Sequence, residues 1–172
     1  MKPINYFSLV TALLLMITFT TAGAAGTGKG AAAEKATGDV VVFNIDFPAR
    51  LHWFGFAAHE LADEPFGKGF IDHQRLSQDG MEILREEYSE VTYVIVDGND
   101  AWFAGPIVYD SLDSNPTRWF VLHVYDGGKP KDQSDWMWFT RVDSEGEAFD
   151  LVESMASPGS THEVESGNLM IH

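Results

Sequence analysis

"YVIVDGNDAWFAG", residues 93–105, sets Asp97-Gly98-Asn99-Asp100 between two runs of β-branched and aromatic residues, and the reading of that link decides the fold. A calcium loop of the EF-hand type needs acidic ligands at alternate positions, a glycine at the sixth, a glutamate at the twelfth and flanking helices. The sequence has no such arrangement. Gly98 and Asn99 tolerate positive φ at little cost, so the link is expected to be the turn of a β-hairpin between Val91–Val96 and Ala101–Tyr109.

Working outward from that hairpin, short apolar runs broken by Gly, Pro, Asp and Asn recur along the chain. They predict strands near Val40–Ile45, Leu51–Ala57, Lys68–Asp72, Glu82–Leu84, Arg118–Tyr125, Trp136–Val142, Phe149–Val152 and Asn168–Ile171. Helix is scarce; a helical turn competes with a strand only over Gln78–Tyr88. Strand spacing of about 8 to 12 residues indicates an all-β protein, an antiparallel β-sandwich or small β-barrel of about 8–10 short strands.

The 172 residues, 45% of them apolar, suffice for one domain with a real core. Met1–Ala24 reads as a secretory signal peptide: Lys2 supplies the positive region, Leu9–Phe19 the apolar region, and Ala22-Gly23-Ala24 the small-residue cleavage site. The apolar stretch is interrupted by Asn5, Ser8 and several threonines, which disfavours a membrane span. Residues 25–38 are rich in Gly and Ala and are expected to form a flexible linker, leaving 39–172 as the folded domain. The expected location is therefore secreted or periplasmic.

The absence of cysteine excludes disulfides, thiolate metal sites and cysteine nucleophiles. A formal net charge of −15 disfavours nucleic acid and anionic lipid as partners.

The segments Phe54-Gly55-Phe56, Tyr93–Gly98 followed by Gly105, Phe120–Gly128, Asp135–Asp143 and the closing Gly167–His172 together resemble the post-COAP domain, a secreted bacterial β-rich module without an established activity. The resemblance spans most of Leu51–His172 and implies an extracellular β-domain. The chain departs from that pattern at Trp136 and Trp138, where the family tends to alternate Lys or Arg, and at Trp102, where a polar residue is usual. Asp97 and Asp100 also occupy a turn that the family tends to leave without acids.

Strand periodicity puts Trp119, Val121, His123 and Tyr125 on one face and Phe120, Leu122 and Val124 on the other. With a symmetric loop, Tyr125 lies opposite Trp136 and His123 opposite Trp138, giving an aromatic strip. The strip is either a second core layer or a stacking platform for sugar rings or an apolar partner. Trp102, Trp119, His123, Tyr125, Trp136 and Trp138 are accordingly the candidate ligand-binding residues, with a carbohydrate or a protein as partner.

No catalytic residue, metal ligand or cofactor is indicated. Six histidines sit beside many acids, but no His-x-His or His-x-x-x-His pair occurs, although His52 and His73 could meet across neighbouring strands. Ser157–His162 reads as a loop without a Gly-x-Ser-x-Gly elbow. The acids at Glu82, Glu86, Glu87, Glu90, Asp110 and Asp113 read as a solvated face, and only a cleft with divergent carboxyl pKa values would make them glycosidase-like. The expected function is thus an exported, non-catalytic binding or surface-interaction domain. The alternatives are a small extracellular hydrolase with paired carboxylates, or a barrel enclosing an apolar ligand.

Overall fold

The computed structural model describes residues 34–44, 50–61, 65–128 and 134–172. The expected signal over Met1–Ala24 lies outside them. Eight strands, β1 (Lys35–Asn44), β2 (Arg50–Glu60), β3 (Phe66–Leu76), β4 (Ile83–Asp97), β5 (Asp100–Asp110), β6 (Trp119–Tyr125), β7 (Trp136–Val142) and β8 (His162–Ile171), are accompanied by one helix, α1 (Glu145–Glu153), between β7 and β8. Each strand pairs antiparallel with the next, and β1 pairs with β8, so the sheet closes into an up-and-down barrel. Closure removes free sheet edges, and with eight strands the interior is just wide enough for side chains or one small ligand.

The 93–105 stretch is the expected hairpin. Asp97 pairs with Asp100, and Gly98, at φ +64, occupies the first central position, where a type II′ turn takes glycine. Alternation is cleanest in β2, where His52, Phe54, Phe56, Ala58 and Glu60 are buried in turn. The inward set, including Val40, Phe54, Phe56, Phe103, Phe120, Leu122 and Met137, fills the barrel.

Several sequence expectations are corrected. Of Glu82–Leu84, Ile83 and Leu84 open the same long strand, β4, that holds Val91–Val96 and bends at register shifts between Tyr88 and Tyr93. There Gly105 passes so close to the Glu90 carbonyl oxygen that a Cβ would collide with it. Phe149–Val152 is helical and not a strand: the Ser144 side chain caps α1 by accepting the Glu147 N–H, Glu145 and Glu147 complement the helix dipole, and Ala148 and Val152 recur at helical spacing on the buried face. Gln78–Tyr88 contains a turn and the start of β4, with no helix. Lys35–Gly38, expected in the linker, opens β1; its small residues fit the barrel wall, since Ala36 is fully buried and a Cβ on Gly38 would strike the Phe56 ring.

Candidate functional site

Two polar or aromatic constellations stand out, one inside the barrel and one on its wall. The inner one lies at the end where β2, β4, β6 and β8 begin and β3, β5 and β7 finish. Four of the five arginines, Arg50, Arg75, Arg85 and Arg141, occur there with inward parity, together with His52, His73, Glu87 and Asp110, and Arg118 directly precedes β6 at the same end. His52 pairs in register with Arg75, and His73 with Glu87.

A chain of hydrogen bonds orders this cluster. Glu87, 1% exposed, accepts Arg141 Nε–H at 2.7 Å and a second bond from Arg141 Nη2, so the pair is bidentate. It also receives Arg85 Nη2 at 3.1 Å. His73 Nδ1 lies 2.9 Å from the same carboxylate, and His73 Nε2 lies 2.9 Å from His52 Nδ1. Burial alone would raise the Glu87 pKa, but the bonds from Arg141 and His73 overcome it and hold the carboxyl down to about 2. An ionised Glu87 requires Nδ1–H on His73. His73 Nε2 is then the acceptor, His52 donates through Nδ1, and the His52 Nε2 lone pair is left free. The approach of Arg141 Nη2 to His73 Nδ1, at 3.4 Å, is a contact between two donors and not a bond. Burial first, then the neighbouring His73, Arg141 and Arg75, lowers His52 to about 3; burial also lowers His73 against the opposing pull of Glu87. Both rings are neutral at physiological pH.

Arg85 forms a second bidentate pair, with Asp110, through Nε–H to Oδ1 at 3.1 Å and through Nη2 to Oδ2. Arg50 and Arg75 remain without an acceptor among the described residues. Arg75 Nε is buried with no hydrogen-bond partner, and burial, then the Arg50, Arg85 and Arg141 charges, lowers its pKa. Phe54, Phe120 and Phe139 floor the cluster; His73 stacks on Phe54 at 4.6 Å, and Arg141 lies over Phe120 at 5.3 Å. Side-chain exposures of 12% at Arg85 and 19% at Arg141 show that solvent reaches the site.

The outer constellation is the aromatic strip. Tyr125 pairs with Trp136 and His123 with Trp138, as the symmetric loop requires. Most of the strip is a second core layer: Trp102, His123 and Trp138 are buried, Trp119 is half-buried against Tyr93, and Ala148 and Val152 of α1 pack with Trp102, Trp138 and Trp119. His123 stacks on Trp102 at 3.9 Å. Only Tyr125 and Trp136, stacked at 5.3 Å, reach a shallow cleft of about 590 Å³, shared with Ser134, Thr161 and Glu163.

His123 bonds Asp100 through Nε2 at 2.8 Å and Ser157 through Nδ1 at 2.6 Å. The composition is that of an acyl-transfer triad, on residues far apart in sequence. Pro158 follows the serine, however, and has no N–H for the oxyanion donor that the residue after the nucleophile supplies in hydrolase elbows. The set ties residues 154–161 down onto the barrel wall.

His52 and His73 do meet across neighbouring strands, but they spend their facing nitrogens on each other; no group able to hold a metal occurs among the described residues. The sequence signal missed for the inner site was that arginines share the inward parity of core residues such as Phe54, Ile71 and Phe120 on β2, β3 and β6 or their register partners. No family model, curated protein or solved structure matches the chain.

Proposed function

We propose that the protein is an exported, non-catalytic binding barrel that seats a small anionic ligand among the arginines at the barrel end. The observation that carries this reading is Arg75: a guanidinium with a buried, unpartnered Nε, beside Arg50, in a chain of net charge −15. A buried unpaired donor is costly, and arginine's planar fork is suited to carboxylate and phosphate. Acidic chains have no general need to gather arginines inside; an anion would satisfy both the free donor and the excess charge.

The signal-like Met1–Ala24 and the resemblance to a secreted β-module support export. Among the described residues no helix is long and apolar enough to cross a membrane. A carboxylate-pair hydrolase has less support, because Glu87 and Asp110 are both held below their ordinary pKa by arginine and neither is kept protonated as an acid. A second reading rests on the stacked Tyr125–Trp136 pair, whose half-buried rings line the cleft and could carry a sugar.

One experiment compares the two. The protein is incubated with a small-molecule extract of its expression host, desalted, and the retained compounds identified by mass spectrometry. Retention of anions by wild type and Trp136→Ala, but not by Arg75→Gln, is the expected result. Retention that survives Arg75→Gln and is lost in Trp136→Ala replaces the inner seat with the outer cleft.

A further inference from the structure

We infer that the ligand of the arginine end is a small hydroxylated dianion, a dicarboxylate bearing a hydroxyl group, with its charges taken by Arg50 and Arg75 and its hydroxyl by His52. The inference rests on the anion-binding reading above and adds charge, size and donor pattern to it.

The charge follows from the pairing. Glu87 and Asp110 offset Arg141 and Arg85, each through a bidentate contact. Both histidines are neutral, because His73 donates to Glu87 and accepts from His52. Two further guanidiniums, Arg50 and Arg75, have no acceptor among the described residues, so a dianion answers both while a monoanion leaves one unmatched. Two guanidiniums also offer two separate forks, each complementary to one carboxylate.

The size follows from register. Arg75 lies opposite His52, and Arg50 is two residues before His52 on the same strand. The two arginines are therefore diagonal neighbours, with Cα atoms about 7–8 Å apart. Their side chains reach the two ends of a short four-carbon diacid but cannot bracket a long one inside an eight-stranded barrel.

The donor pattern follows from the tautomers. Ionised Glu87 fixes a proton on His73 Nδ1, which fixes one on His52 Nδ1 and leaves His52 Nε2 as an acceptor without a partner among the described residues. Beside it, Arg50 and Arg75 offer only donors. An acceptor in a ring of donors discriminates for a ligand that carries its own O–H beside its anionic groups, because an analogue lacking it leaves a polar group unpaired.

The test is calorimetric titration of the full chain at low ionic strength and pH 7 with malate in both enantiomers, succinate, lactate and inorganic phosphate. Succinate is malate without the hydroxyl, and lactate keeps the hydroxyl but has one charge. One malate enantiomer is expected to bind at least tenfold more tightly than succinate or lactate. Arg75→Gln should weaken malate at least tenfold, and His52→Phe, which keeps a ring beside Phe54 and Phe139, should reduce malate to the succinate level; thermal melting of each variant shows that it is folded. Equal affinity for malate and succinate removes the hydroxyl assignment, and equal affinity for lactate removes the dianion. Arg75-dependent binding of phosphate without malate overturns the dicarboxylate while leaving the anion seat standing. Should the Arg75→Gln protein retain the same host compounds as wild type in the mass-spectrometric comparison, the anion seat itself fails.

Discussion

Glu87 is the residue on which the inner site depends, since it is almost wholly buried and answers Arg141, Arg85 and His73 together. Removing one partner of a buried ion pair leaves an uncompensated charge, so Arg141→Met is expected to cost about 3–5 kcal/mol in a urea denaturation series. Adding Glu87→Leu should recover part of that loss, because the orphaned carboxylate is then gone. The same residues set an acid limit. His52 is lowered to about 3 and Glu87 to about 2 in the folded protein, so the unfolded chain binds more protons on both groups at acid pH. Stability from His52 is complete above its unfolded pKa and falls as pH drops from about 6.5 towards 3; that from Glu87 is complete above about 4.5 and falls towards 2. Melting temperatures should therefore decline steadily below pH 6, with the upper part of the decline flattened in His52→Phe. A midpoint unchanged between pH 7 and 4 contradicts this assignment.

Helix α1 and the strip beneath it are one packing unit. Trp138 is 4% exposed under that layer, whereas Trp136, two residues away on the same face, remains half-buried beside the cleft. Trp138→Ala is expected to cost about 3–5 kcal/mol, the range for opening a large core cavity, and Trp136→Ala less than half as much, both read from denaturant midpoints. Ser144→Ala removes the cap at Glu147 N–H and should cost about 1 kcal/mol. A Trp138→Ala protein as stable as wild type would mean that α1 does not cover the strip in solution.

At the scale of the barrel, closure is uneven. β1 pairs with β2 along its whole length, from Lys35 against His59 to Asn44 against Arg50. β7 meets β8 only at Trp136 with Glu163 and Met137 with His162, beside one further bond from Val164 N–H to the Asp135 carbonyl. A short ladder opens locally at lower free energy than a long one. In hydrogen exchange, the amides of 162–164 should exchange faster than those of β4 and β5. Equal protection would mean that the seam opens only with global unfolding. The charge is as uneven as the pairing, with an acidic chain placing nearly all its arginines at one end of its interior.

Strand content, the Gly98–Asn99 turn and the pairing of Tyr125 with Trp136 were legible in the sequence, because two-residue periodicity and turn chemistry act over neighbouring residues. α1 was misread as a strand because the short apolar run Phe149–Val152 fits one, while the capping-box spacing of Ser144 and Glu147 that marks the helix start was passed over. Sandwich or barrel was decided only when β1 met β8, a contact between the two ends of the domain that no local pattern encodes. The strip became a second core layer for a similar reason: α1, on a different segment, packs with Trp102 and Trp138, and Ser157 ties down His123. Arg50, Arg75, Arg85 and Arg141 are scattered over 92 positions of sequence and read singly as surface charges. Closing the sheet turned their common inward parity into one shared interior, and that convergence of charge is a property of the tertiary structure alone.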